Sequence, residues 1–124
     1  MRRQRFLTVG VVSLVLLGPA AMGAEQVSKH DKQVIITLLD RLKQRKDLHF
    51  IRDGKVYDAH TAAWYLHFKW DQNKDKVHSI EDFIQLSSVG GEHGEITYYV
   101  KFSDGRTQTA REVLEASVKQ IEAE

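Results

Sequence analysis

Apolar positions recur at helical spacing over Val34, Ile35, Leu38, Leu39 and Leu42, behind Ser28 and Asp31, which are spaced as a capping box with Asp in place of Glu. The pattern predicts a first helix from Lys29 to Lys46. Leu48-His49-Phe50-Ile51-Arg52 alternates imperfectly in the strand sense. Asp53-Gly54 then supplies the left-handed residues of a tight hairpin into Val56 and Tyr57. Asp58 is placed to cap a second helix, Ala59 to Asp71, with Ala59, Ala62, Ala63, Leu66 and Trp70 as its inner stripe. A polar loop spans 72–78, and Ser79 with Asp82 starts a shorter helix through Leu86 that buries Ile80, Phe83 and Ile84. Ser87 to Gly94 ends it, with Gly90-Gly91 as a flexible turn. Glu95 to Phe102 alternates cleanly, Ile96, Tyr98, Val100 and Phe102 sharing one face. A turn at Ser103-Asp104-Gly105-Arg106 leads to a short return segment. Thr109 and Glu112 then form a capping box for a last helix, with Val113, Leu114, Val118 and Ile121 inside.

These elements predict an α+β domain, four helices packed on a small antiparallel sheet made of two short hairpins. The stretch Asp53-Gly54-Lys55-Val56-Tyr57-Asp58-Ala59-His60 aligns without gaps on Asp104-Gly105-Arg106-Thr107-Gln108-Thr109-Ala110-Arg111. An internal duplication would place two like hairpins in one sheet. The restricted chemistry of turns and caps accounts for the match more simply, because the rest of the two halves does not align.

The pattern changes character upstream. Met1-Arg2-Arg3-Gln4-Arg5 is basic, Phe6 to Gly18 is uncharged and rich in Leu and Val, and Pro19 to Ala24 is mostly small. That order is a secretory signal peptide, residues 1–23, leaving 24–124 as a single domain. As a helix the apolar run reaches about 20 Å against a hydrocarbon core of about 30 Å, too short for a comfortable anchor. Cleavage after Gly23 places Ala21 at the minus-three position; cleavage after Ala24 places the bulkier Met22 there. Arg5 stands where a twin-arginine signal wants an apolar residue, so the general secretory route to the periplasm is expected.

Losing Arg2, Arg3 and Arg5 leaves 15 Lys and Arg against 17 Asp and Glu and takes the net charge from +1 to −2. A near-neutral domain without a basic stripe argues against nucleic acid as a partner. It also lacks a polybasic stretch for an anionic bilayer, so no stable membrane anchor is expected after cleavage. The chain has no cysteine, which rules out disulfides, thiol catalysis, thiolate zinc sites and iron–sulfur clusters.

On the second helix His60, Trp64, His67 and Asp71 form one stripe away from Ala62 and Leu66, with Tyr65 and Phe68 adding aromatic surface. As a contact face for a ligand or partner, the indole offers a stacking surface and the imidazoles hydrogen bonds. The competing expectation, favoured by the small size of the domain, is that the sheet and another helix cover opposite sides of this helix. His60 and His67 lie two turns apart, about 10 Å along the axis, too far for one ion, so no metal site and no cofactor is expected. Only His67 with Asp71 has i, i+4 spacing. No nucleophile motif and no phosphate-cradling loop is present.

Phe50-Ile51-Arg52-Asp53-Gly54, Tyr57, Ala62-Ala63, Leu66 with Lys69, Ile80-Glu81-Asp82-Phe83-Ile84, Ser87-Ser88 and Tyr98 with Val100-Lys101-Phe102-Ser103-Asp104-Gly105 together resemble the YfeK-like, DUF5329-type family of small exported bacterial proteins of unknown function. The resemblance covers Leu38 to Leu114 and implies a periplasmic protein of a Gram-negative envelope, with no catalytic residue to carry over. Arg52, beside the first tight turn, is a candidate anion contact; pairing with Asp58 or Asp47 is the expectation favoured over it. The leading functional expectation is a non-enzymatic binding or accessory protein engaging an envelope protein or component through His60, Trp64, His67 and Asp71. The alternative is an envelope hydrolase or metal-dependent enzyme using His67 and Asp71.

Overall fold

The structure is a computed structural model that describes residues 27–124, so the expected signal peptide lies outside the described residues. Helix α1 (Lys29–Leu42) is followed by strands β1 (Leu48–Arg52) and β2 (Lys55–Asp58), helix α2 (Ala59–Gln72) and a 3-10 turn at Lys74–Lys76. Helix α3 (Ile80–Ser88) runs directly into β3 (Val89–Gly90), and β4 (Ile96–Phe102), β5 (Thr107–Thr109) and helix α4 (Ala110–Glu122) complete the chain. Among the described residues, four α-helices and a five-stranded antiparallel sheet make an α+β fold.

The sheet order is β2-β1-β4-β3, with β5 also on β4. The two hairpins therefore share one sheet, joined through the β1–β4 pairs Leu48–Phe102, Phe50–Val100 and Arg52–Tyr98. Leu48, Phe50, Tyr98 and Val100 are buried, and since alternate residues share a face, these three pairs look toward the helices. Although their sequences align, the hairpins turn differently. Asp53 and Gly54 both have positive φ, the two-residue turn that matches strand twist. In the second hairpin only Gly105 does, and Phe102 N–H donates to Arg106 O at 2.8 Å to close a three-residue loop. The common spelling thus encodes turn and cap chemistry in two different geometries.

Among the described residues each α-helix starts on a side-chain cap: Ser28, Asp58, Ser79 and Thr109 each accept from the backbone N–H three residues on. The expected stripes of α1 and α2 are buried throughout. Phe83, Ile84, Val113, Leu114 and Val118 bring α3 and α4 into the same core, with Ile80 and Ile121 partly buried at its margin. Helix α1 is shorter than its expected end at Lys46, because Lys43 N–H closes the last turn and Asp47 is drawn into a pair with Arg45.

Ser87 to Gly94 is not the simple break expected. Helix α3 continues through Ser88, and Val89 and Gly90 pair with Thr97 and Ile96 as β3. Gly90 is buried under Tyr98: a Cβ there would lie 2.9 Å from Cζ of that ring, so the position needs glycine for a close approach and not for a flexible turn. Gly91, with φ of 86°, does turn the chain. Among the described residues no helix is long and apolar enough to cross a membrane.

Candidate functional site

Leu48, Phe50 and Arg52 alternate along β1, so Arg52 occupies a helix-facing position beside two core residues. Its direct cross-strand partner is Tyr98, and its guanidinium carbon lies 6.0 Å from the centre of that ring. The expected pairing of Arg52 with Asp58 or Asp47 does not occur. Asp47 is held by Arg45 at 2.7 Å, and Asp58 accepts from Thr61 N–H at 2.8 Å as the cap of α2. Among the described residues no carboxylate comes within ion-pair distance of Arg52, and its Nε is buried without a hydrogen-bond partner.

Helix α2 crosses over this end of the hairpin without filling the space beneath it. The result is a cleft of about 190 Å³. Phe50, Arg52 and Tyr57 line it from the hairpin, Tyr98 from β4, and Thr61, Trp64 and Tyr65 from α2. Arg52 is the single charged residue in this lining. Beside the cleft, Lys69 is half-buried, its Nζ 5.1 Å from the centre of the Tyr98 ring and 5.8 Å from that of Tyr65. Lys69 donates to Leu86 O at 2.8 Å and Val89 O at 2.7 Å. Burial, with Arg52 as a neighbouring cation, lowers its pKa to about 8. Burial also pushes the Tyr98 phenol up.

The stripe singled out on α2 lies on a different side. His60, Trp64 and His67 border a second groove, against Ile36 and Asp40 of α1 and its C-cap Lys43. Trp64 stands on the ridge between the two depressions, 67 % exposed. It stacks on Phe68, itself 47 % exposed, with centroids 6.0 Å apart and planes at 7°. The sheet and neighbouring helices do pack against α2 as expected, on the side of β1 and β2 and on that of α1 and α3, but they leave Trp64, Tyr65 and Phe68 exposed between them. Asp71 lies further along the helix, Oδ2 at 3.5 Å from His67 Nδ1 and Oδ1 at 3.7 Å from Lys74 Nζ, an exposed surface arrangement. Among the described residues no three His, Asp or Glu side chains are grouped as a metal ion would need.

Of the residues named from sequence, His60, Trp64 and His67 are brought together around one groove, Asp71 joins only through His67, and Arg52 belongs to the other cleft. Tyr57, Tyr98 and Lys69 were missed as site residues. The readable signal was the phase of Leu48, Phe50 and Arg52, which puts an arginine in register with core positions; the role of Lys69 depends on α3 ending beside α2 and has no local signature.

The chain is 31 % identical over 78 residues to "Uncharacterized protein YfeK" of Salmonella typhimurium (strain LT2), a match covering 63 % of this chain and 62 % of that protein. The match thus spans less than two thirds of that relative's length. No solved structure matches. The family described as "Family of unknown function (DUF5329)" matches residues 29–122, from the start of α1 to the end of α4. The chain belongs to the DUF5329 family.

Proposed function

We propose that this protein is an exported, non-enzymatic binding or accessory domain of the bacterial envelope, working in the periplasm and engaging an envelope protein or component through the outer face of α2. The observation that carries this reading is the exposed stack of Trp64 on Phe68, continued by Tyr65 and flanked by His60 and His67. Large aromatic side chains left in water on a small domain forgo burial worth about 1.5–3 kcal/mol each, and contiguous patches of this kind mark interaction surfaces. Aromatic anchors with polar neighbours are also the residue types that dominate binding energy at interfaces. Delivery to the periplasm rests on the basic, then apolar, then small-residue order of residues 1–24.

The test is site-specific photo-crosslinking in living cells from residue 64, with residue 101 on the exposed side of β4 as the control position. A discrete adduct is expected from 64 and not from 101, and Phe68→Asp should abolish it while leaving the folded protein in the periplasm. Equal labelling from both positions would remove the assignment. The mass of the periplasmic protein is expected to correspond to a chain starting at residue 24 or 25. The metal-dependent alternative through His67 and Asp71 predicts stoichiometric metal in the protein purified from the periplasm, and elemental analysis decides it.

A further inference from the structure

A half-buried arginine without a carboxylate partner is costly, since a charge taken out of water is normally compensated by an ion pair or hydrogen bonds. Arg52 has neither at Nε; the Tyr98 phenol beside it favours its charged form, and apart from Thr61 its neighbours in the cleft are apolar or aromatic. Lys69, on the same Tyr98 ring, adds a second cation, already engaged by the carbonyls of Leu86 and Val89. No acidic side chain lines the cleft, so the local field is uncompensated and positive. The size of the space is also informative. A cavity of about 150 Å³ accommodates benzene, and this cleft measures about 190 Å³, room for one ring and a small substituent.

We propose that the cleft between the β1–β2 hairpin and α2 binds a small organic monoanion, an apolar body the size of a single ring bearing one carboxylate. Arg52 contacts the carboxylate, and Phe50, Tyr57, Trp64 and Tyr65 surround the body. A planar carboxylate matches the fork of a guanidinium and supplies the partner that the chain itself withholds. The aromatic walls give such a ligand a dry surface to stack on. The cleft shares Trp64 and Tyr65 with the outer face of α2, but Phe50, Arg52, Tyr57 and Tyr98 belong to it alone, and it lies on the other side of Trp64 from the His60 and His67 groove.

Three probes separate the contributions: benzoate, its neutral counterpart benzyl alcohol, and acetate, which has the anion without the ring. Titrations of the purified protein are followed by nuclear magnetic resonance at the Trp64 indole N–H and the Arg52 guanidinium. Benzoate is expected to shift both signals saturably, with benzyl alcohol at least about tenfold weaker, as for loss of a charge-assisted hydrogen bond. Acetate is expected to leave the Trp64 signal in place. Arg52→Gln should reduce benzoate to the affinity of benzyl alcohol. Because Arg52 also packs on Tyr98, a second variant guards against a folding defect: Thr61→Trp, at an exposed position on the cleft wall, should block both ring-bearing probes while the circular dichroism spectrum is unchanged. Equal binding of benzoate and benzyl alcohol, benzoate binding that survives either substitution, or the absence of saturable shifts would overturn the proposal. Crosslinking from residue 64 without benzoate binding would leave the α2 docking face standing and remove the cleft as a ligand site; benzoate binding without a crosslink would do the reverse.

Discussion

Ser87 is sealed in the core at the end of α3, and its Oγ has no hydrogen-bond partner. The neighbouring Ser88 is also buried, but its hydroxyl donates to Ile84 O one turn back. The two serines look alike in sequence, and only one of them retains its desolvation cost. Removing an orphaned hydroxyl leaves the packing nearly intact and takes that cost away, so Ser87→Ala is expected to stabilise the protein by about 1 kcal/mol. Ser88→Ala removes a satisfied hydroxyl and is expected to be neutral or slightly destabilising. Urea unfolding of the two variants measures the difference, and a loss of stability in Ser87→Ala would show that this hydroxyl has a partner in solution. Arg52 belongs at the same scale: its Nε is buried without a hydrogen-bond partner, while the Tyr98 phenol beside it favours the charged guanidinium.

At the scale of elements, the junction of α3 with β3 poses a hydrogen-bonding problem. A helix leaves its last carbonyls without partners, and here the chain passes straight into a strand with no left-handed glycine to satisfy them. Lys69 of α2 supplies the donors from outside, reaching Leu86 O and Val89 O, and so ties α2 to α3. A neutral amine still has two N–H groups, enough for both carbonyls, whereas the ammonium form bears the desolvation that lowers the pKa to about 8. The unfolded chain then binds more protons than the folded one between pH 8 and the ordinary lysine value near 10.4, so stability rises with pH across that window. Because the side chain is only half-buried, the expected gain is on the order of 1 kcal/mol, below what the full shift implies. Denaturant titrations from pH 8 to pH 10 should show this rise in the wild-type chain and not in Lys69→Met. Parallel curves would mean that the ammonium is better solvated than its position implies.

Over the whole molecule the carboxylates act in a lower pH window, and there it is the charged form that the fold favours. Asp58, hydrogen-bonded by Thr61, Asp104 and Asp47, held by Arg106 and Arg45, and Glu124, held by Arg41, all have lowered pKa values. They mark a helix cap, a turn, a loop and the attachment of the C-terminus to α1, so they are spread over the surface. A lowered carboxylate contributes stability that is present above its unfolded pKa, near 4, and is lost as pH falls through the folded value. Stability is therefore expected to decline from pH 5 to pH 3, and Asp58→Asn, which keeps a capping oxygen but cannot titrate, should flatten part of that decline. Thermal unfolding followed over this range checks it; an unchanged slope in Asp58→Asn would place the acid sensitivity in the other pairs.

Sequence by itself determined what is governed by neighbours a few residues apart. The caps at Ser28, Asp58, Ser79 and Thr109, the inner stripes of the four helices and the Asp-Gly turns all follow from local periodicity and local hydrogen bonding, and the α+β class follows from their order. Tertiary structure decided everything that needed two remote segments to meet. The joining of both hairpins through β1 and β4, the strand at Val89 and Gly90 beneath Tyr98, and the end of α3 held by Lys69 have no local signature. The same is true of the site. An aromatic-rich helix was legible, but whether its second side would be covered depended on how much surface the small sheet and α1 could reach, and they left Trp64 in solvent between two depressions. Arg52 could be placed on the helix-facing side by strand alternation alone. That it would find an aromatic ring there, and no carboxylate, was settled only when β4 packed beside it.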